Sequence, residues 1–203
     1  MVQPAFSPAA DRNKQAILEV LQQLLPACGT ALEIASGTGQ HLAWFAQHLP
    51  QWTWQPTDAH APALNSIEAR IAQEQLRNAC APLLLDVLSP AWLPADTPAF
   101  DAIYCANMLH IAPWTTCAAL MLGAARHLAQ GGLLLTYGPH LEDAVPTAPG
   151  NLAFDRDLRA RDPAWGLRRR EDVEHEANRA GLRLTQRIAL PANNLLLVWA
   201  LSN

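Results

Sequence analysis

The chain of 203 residues holds a single lysine, Lys14, beside 13 arginines, and its net charge is −4. A protein that works on nucleic acid gains much of its affinity from a basic face, and such a face is missing here. The one dense basic run, Arg168-Arg169-Arg170, passes straight into Glu171 and Asp172, the pattern of a solvated helix start. Cysteine is sparse: positions 28, 80, 105 and 117 show no Cys-x-x-Cys spacing and no paired histidines. That speaks against a metal site and reads as reduced core residues. No apolar run approaches the roughly 18 residues of a membrane span, since the longest, 118–125, stops at Arg126. The first residues carry Pro4, Pro8 and Asp11 without a continuous apolar stretch, so no signal peptide is expected and the expected location is cytoplasmic. Only 16% of residues are charged and half are hydrophobic, too apolar for disorder or a coiled coil. What remains is one globular domain over 1–203, long enough to bury roughly 70% of its unfolded surface.

Hydrophobic periodicity then places the elements. Ile17, Leu18, Val20, Leu21, Leu24 and Leu25 repeat at helical spacing behind Asp11, a candidate cap, and Pro26 with Gly29 ends that helix. An apolar run at 31–35 is broken by Ser36-Gly37-Thr38-Gly39, and a helix follows with Leu42, Phe45, Ala46 and Leu49 on one face. A second strand begins at 52–54 and ends in Pro56-Thr57-Asp58, a helix is predicted over 60–77, and 83–85 makes a third strand before Asp86. A fourth strand spans 100–106, a helix 115–129 is closed by Gly131-Gly132, and a fifth strand spans 133–137. Continuous apolar strands alternating with helices predict a parallel sheet covered on both faces. The end departs from this. After a helix around 171–180, strands at 182–190 and 195–201 are separated only by Pro191-Ala192-Asn193-Asn194, so they form an antiparallel hairpin. The predicted fold class is α/β, a Rossmann-like three-layer sandwich with a seven-stranded, mostly parallel sheet and an antiparallel last strand.

In open sheets of this kind ligands sit beyond the carboxyl ends of the strands. Gly37 and Gly39 allow a tight turn after strand one and leave room against the backbone. A dinucleotide site asks for a third glycine where Leu42 stands. Glu33, four positions ahead of Gly37, would repel a pyrophosphate and suits a ligand that carries positive charge. Asp58, 19 positions beyond Gly39, is placed to accept from both hydroxyls of a ribose. Asp86 is placed to accept from an exocyclic amine such as that of adenine. Acids after three consecutive strands point to a nucleoside cofactor without phosphate.

The pattern Glu-x-Ala-x-Gly-x-Gly at 33–39, with Asp58, Asp86 and the terminal hairpin, resembles the class I S-adenosylmethionine-dependent methyltransferases. The chain from Asp11-Arg12-Asn13 to Pro191-Ala192-Asn193-Asn194 is similar to one branch of them, domain of unknown function 938, of the methyltransferase-like 26 type. The stretches that carry the likeness include Ala35 to His41, Trp54-Gln55-Pro56-Thr57-Asp58, Asn107-Met108-Leu109-His110-Ile111 and Tyr137-Gly138-Pro139. Asn151-Leu152-Ala153-Phe154-Asp155 and Trp165-Gly166-Leu167-Arg168 add to it. The resemblance implies S-adenosyl-L-methionine as cofactor, with Asp58 on the ribose, Asp86 and Val87 at the adenine, and Gly37 and Gly39 under the methionine part. Glu33, Ala35, His41 and Asn107 join that expected shell. Arg12 and Asn13, on an opening helix that can close over the cofactor in this fold, are expected to bind it too, Arg12 through the methionine carboxylate. Ala35 departs from the superfamily, where a first glycine is common.

Methyl transfer from a sulfonium is an in-line displacement, so the protein must align an acceptor and, where needed, take its proton. His110, after strand four, is the candidate base, with Tyr137 as the second catalytic candidate. The row Asn107-Met108-Leu109-His110 lacks the proline- and aromatic-rich tetrapeptide of DNA amino-methylases, which argues against base methylation. The residues 138–170 read as a lid or substrate insertion. Trp114, His140, Asn151, Asp155, Arg159, Trp165 and Arg168 are candidate acceptor contacts. So are Asn193 and Asn194, because the last hairpin's turn falls on the active-site rim if strand six runs parallel to the others. The expected partner is a small-molecule acceptor, with no nucleic acid, membrane or metal. Two other readings stay open: a nicotinamide-dependent oxidoreductase, and a non-catalytic protein that binds S-adenosylmethionine.

Overall fold

In the computed structural model, which describes residues 3–202, Ser7 rather than Asp11 caps the opening helix. The Ser7 hydroxyl accepts from the Ala10 amide at 3.3 Å and Pro8 fills the first turn, where its missing N–H is harmless. Asp11 instead pairs with Lys14 at 2.6 Å. The first half of the chain comprises α1 (Pro8–Leu24), β1 (Gly29–Ile34), α2 (Gln40–His48), β2 (Trp52–Asp58), α3 (Ala61–Gln73) and β3 (Leu83–Leu84). The second comprises β4 (Phe100–Ala106), α4 (Thr115–His127), β5 (Leu128–Leu141), α5 (Pro149–Arg161), β6 (Arg168–Arg169), α6 (Arg170–Arg179), β7 (Leu182–Leu190) and β8 (Asn194–Leu201).

The sheet runs β3-β2-β1-β4-β5-β8-β7, with the two-residue β6 added to the far end of β5. β8 is antiparallel to both of its neighbours, so β7 shares the direction of the rest. The chain moves outward from β1 through β2 to β3, then returns to place β4 on the other side of β1. That reversal opens a crevice at the carboxyl ends of β1 and β4.

Strand alternation sends side chains to two cores. Leu32, Ile34, Ile103, Cys105, Leu134, Leu197 and Trp199 face α4 and α6, meeting Leu120, Met121 and Val173. Ala31, Ala102, Tyr104, Leu135, Leu196 and Val198 face α1, α2 and α3, meeting Ile17, Leu21, Phe45 and Ile67. Three layers result, as the apolar strands predicted.

Two local expectations are corrected. The arginine run does start a helix, α6, at Arg170, but its side chains are paired rather than freely solvated. Arg168 and Arg169 form β6, Arg169 pairs with Asp143, and Arg170 pairs with Glu142, Glu171 and Glu174. The stretch 138–170 is also largely ordered rather than loop: β5 runs to Leu141 and Pro149 starts α5, where a proline is tolerated.

Gly123 in α4 lies flat against Trp92, and a Cβ there would sit 1.9 Å from the indole Cζ2. Gly123→Ala should destabilise by about 1–3 kcal/mol through overpacking, lowering Tm by roughly 3–10 °C in a calorimetric scan.

Candidate functional site

The turn after β1 is wound left-handed. Ala35, Gly37 and Gly39 have φ of 55°, 57° and 73°. It is fastened to β2 at two points: the Ser36 amide donates to the Thr57 carbonyl at 2.8 Å, and the Gly37 amide to Asp58 Oδ2 at 2.9 Å. A Cβ on Gly39 would press on Ile67 Cα at 3.3 Å, whereas one on Gly37 would meet only the Ala35 carbonyl, at 3.9 Å. The Gly37 side of the turn is therefore open to a ligand. Ala35 holds its conformation without glycine's freedom.

Beneath the turn, Glu33 is buried and its Oε2 has no hydrogen-bond partner. Burial pushes its carboxyl up to about 8, with Asp58 adding to the rise and Ser36 opposing it. An unpaired buried acid next to an open turn is a place where a ligand's positive charge would be compensated. Asp58 also accepts from the His60 amide through Oδ1 at 2.9 Å, so it braces the turn while standing at the end of β2. Asp86 is exposed, and its Oδ1 accepts from the Leu88 amide at 2.9 Å. Val87 is turned into the core beside Trp92, whose indole donates to the Val87 carbonyl. Among the described residues no group of three or more His, Cys, Asp or Glu could hold a metal ion.

Across the crevice lies a cavity of about 880 Å³, within the range of small-molecule sites. Arg12 and Asn13 reach it from α1, Asn107 and His110 from the loop after β4, and Tyr137 from β5. Asn151 from α5 and Asn193 and Asn194 from the final turn complete the far wall, with the Asn151 amide donating to the Asn193 carbonyl at 3.1 Å. The parallel direction of β7 is what brings that turn to this rim. Phe154 also lines the cavity, its ring edge-on to His110 at 5.5 Å between centroids. Sequence reasoning did not single it out, although an aromatic three places after Asn151 falls on the same helix face.

His110 is buried and its imidazole is pulled down to about 4, first by burial and then by the nearby charges of His140 and Arg168. It is neutral at physiological pH. Tyr137 is held above the usual phenol range by burial.

Other expected contacts turn out to be spent on packing within 138–170 and against the loop after β4. Arg168 donates to the carbonyls of Leu109, Ala112 and Ala164 at 2.9, 2.6 and 2.7 Å, and its guanidinium lies over the Trp114 ring. Asp155 accepts from the Leu167 amide at 2.7 Å and from Arg159 at 2.9 Å. Trp165 stacks under Arg161, and the Gly166 amide donates to the His110 carbonyl. None of Trp114, Asp155, Arg159, Trp165 and Arg168 lines the large cavity. His140 faces a smaller cavity of about 160 Å³ that shares Asn151, Asn193 and Asn194 with the large one. His41 is also turned inward: Nε2 meets Asn13 Oδ1 at 2.6 Å and Nδ1 the Tyr104 hydroxyl at 3.1 Å.

Strand order, the left-handed turn and the acid beneath it define a Rossmann-like methyltransferase fold. The chain belongs to the DUF938 family, described as proteins of unknown function, whose model matches residues 4–201. Among solved structures it is similar to an O-methyltransferase family protein from Burkholderia thailandensis, at 20% identity and a TM-score of 0.80, covering 96% of this chain and 58% of that one. It is also similar to an O-methyltransferase family 2 protein from Planctomyces limnophilus in complex with apigenin, at 20% identity and a TM-score of 0.71, covering 92% and 61%. A third is CalO1, a methyltransferase of calicheamicin biosynthesis in an SAH-bound form, at 16% identity and a TM-score of 0.74, covering 96% and 55%. The chain thus spans little more than half the length of these proteins, and at such identity the likeness is one of fold.

Two stability predictions follow from the site. Ala35→Gly relieves left-handed strain of about 1–2 kcal/mol against the added backbone entropy of glycine, roughly 0.5–1 kcal/mol; denaturant titration should show a small net gain. The pH dependence has two limbs. His41, His110 and His140 all sit near 4 when folded, so the unfolded chain binds more protons below about 6.5 and stability falls as pH drops from there to 4. Glu33 acts oppositely: the folded state keeps its proton up to about 8 while the unfolded chain releases it near 4.5, so its contribution is lost as pH rises through that window. Stability should peak near pH 6.5 and decline toward 8, and Glu33→Gln should remove the alkaline decline while leaving the acidic one.

Proposed function

We propose that the protein transfers a methyl group from S-adenosyl-L-methionine to a small-molecule acceptor, as a member of the methyltransferase-like 26 type within its family. The observation that carries this reading is the buried Glu33 carboxyl, its Oε2 without a hydrogen-bond partner, beneath an open left-handed turn at the same rim as the large cavity. Asp58 would hold the ribose hydroxyls, Asp86 the adenine amine, and the backbone at Gly37 and Gly39 the methionine part. Glu33 balances the positive charge of that part from below. When bound, the cofactor supplies an electrophilic methyl group. The chain's own task is then alignment and exclusion of water.

That task falls to residues of the large cavity. Asn107 and His110 converge on Gly138, where a Cβ would lie 3.7 Å from Asn107 Oδ1 and 3.5 Å from His110 Nδ1. Glycine there keeps β5 close to the loop after β4. A neutral His110 can orient an acceptor by hydrogen bonding and take a proton that the methylated product sheds. Phe154 and the prolines 139 and 191 give the cavity an apolar wall. The nicotinamide reading gains nothing here: Leu42 is buried in the core in place of a third glycine, and Glu33 stays close to the turn.

Calorimetric titration with S-adenosylmethionine, S-adenosylhomocysteine and NAD tests the proposal. Micromolar binding of the two sulfur nucleosides is expected, weakened at least tenfold by Asp58→Ala, a loss of about 1.4 kcal/mol or more. A bound cation should also draw the Glu33 proton off, so the enthalpy at pH 7 should vary with the buffer's own heat of ionisation. NAD binding without either sulfur nucleoside would sink the reading.

A further inference from the structure

The large cavity offers hydrogen-bond donors and one fixed positive charge, and no acidic side chain is among its lining residues. The charge is Arg12, exposed on α1; its neighbour Asp11 is engaged by Lys14 at 2.6 Å. A second donor is fixed by a chain of hydrogen bonds that begins in the core. Tyr104 meets His41 Nδ1 at 3.1 Å and His41 Nε2 meets Asn13 Oδ1 at 2.6 Å, while Asn13 and Arg12 both stand close enough to the Tyr137 phenol to act on its ionisation. An amide oxygen can only accept, so His41 Nε2 carries the proton. The ring is neutral, because burial draws its pKa down to about 4, and Nδ1 therefore accepts from Tyr104. The Asn13 oxygen is thereby used, and its NH₂ group is the part left for the Tyr137 oxygen beside it. Tyr137 is left with its own O–H to give, at the wall of the cavity.

Resting on the methyl-transfer reading, we propose that the acceptor is a small acidic hydroxyl compound, a carboxylic acid or an acidic phenol, bound as its oxyanion by Arg12 and the Tyr137 hydroxyl. Arg12 then serves the acceptor rather than the methionine carboxylate. Chemistry agrees with the lining. The acceptor oxygen supplies the electron pair of the new O–C bond, and the S–C pair stays on sulfur. The acceptor's negative charge cancels the sulfonium's positive one, so no proton has to leave. An amine acceptor, by contrast, would meet Arg12 and find no carboxylate to hold it. The low basicity of His110 is no handicap to an acceptor that arrives ionised.

The test uses the full chain and 4-nitrophenol, which ionises near neutral pH and absorbs near 400 nm only as the anion. Below its free pKa, added protein should raise that absorbance, with the apparent pKa of the bound phenol lowered by about one unit, a tenfold preference for the anion. Arg12→Gln and Tyr137→Phe should each remove most of the shift, and Arg12→Gln should leave S-adenosylhomocysteine affinity within about threefold, less than 0.7 kcal/mol. Benzoate distinguishes the two sources: displacement of the nitrophenolate assigns carboxylic acids to the site, and failure to displace it assigns phenols. A raised pKa, a shift that survives both substitutions, tighter binding of 4-nitroaniline, or loss of S-adenosylhomocysteine affinity in Arg12→Gln overturns the proposal. A normal shift in a protein that binds no S-adenosylhomocysteine would instead leave the oxyanion site standing and remove the methyl-transfer reading.

Discussion

The turn from Ala35 to Gly39 is the constraint on which the rest of the site depends. It must leave β1, reverse direction within a few residues and start α2, and it does so in left-handed conformations that most residues avoid. The strain is held by hydrogen bonds from outside the turn, Ser36 to Thr57 and Gly37 to Asp58. Arg70 adds a third fastening, donating from Nε to the Thr38 carbonyl at 2.8 Å and from its other end to the Ala5 carbonyl at 2.6 Å. One arginine thus ties the turn to the segment ahead of α1. The geometry of Glu33, the start of α2 and the position of α1 over the crevice all follow from this anchoring.

Most of the fold was legible in the sequence because it rests on periodicity. Runs such as 100–106 and 182–190 are strands at those same residues; burial on both faces of the first leaves a continuous apolar stretch, and the second, at the sheet edge, alternates Leu182, Leu184, Ile188 and Leu190 with exposed residues. Capping was less legible: Ser7 and Asp11 are both good caps, and the choice is made by the Pro8 ring and by Lys14, which draws Asp11 away. β6 could not be read at all. Two arginines have no strand signature, and their pairing with His140 and Leu141 is accompanied by ion pairs of Arg169 with Asp143 and Arg170 with Glu142.

The glycine-turn side of the crevice was legible for a related reason. Glu33 and Asp58 stand at the carboxyl ends of β1 and β2, Gly37 and Gly39 just beyond β1, and topology alone gathers them at one rim. The large cavity was only half legible. Arg12, Asn13, His110, Tyr137, Asn151, Asn193 and Asn194 meet around one cavity, yet they come from five separate parts of the chain. Residues that looked equally suitable are spent within the fold: Asp155 holds Arg159 and the Leu167 amide, and Arg168 holds the carbonyl of Leu109 in the loop after β4. A polar side chain that binds ligand and one that satisfies a carbonyl have the same composition in sequence. Only the partner distinguishes them, and that partner is set by tertiary contact.

Backbone strain is concentrated where the ligands are proposed to lie. Of the five non-glycine residues with positive φ, Ala35, Asn107, Ala192 and Asn193 stand at the carboxyl-end rim, after β1, β4 and β7. Glu33 and His140, each with a buried atom lacking a partner, lie at the same rim. Such conformations each oppose folding by about 1–3 kcal/mol, so their gathering at one edge means that the remainder of the fold sustains them. Asn107 illustrates the balance. Its left-handed backbone is fixed by its amide donating to the Tyr137 carbonyl at 2.8 Å, and that bond sets its side chain next to His110 above Gly138. The regular part of the sheet thereby holds an irregular edge in one arrangement, which is what alignment of a donor and an acceptor requires.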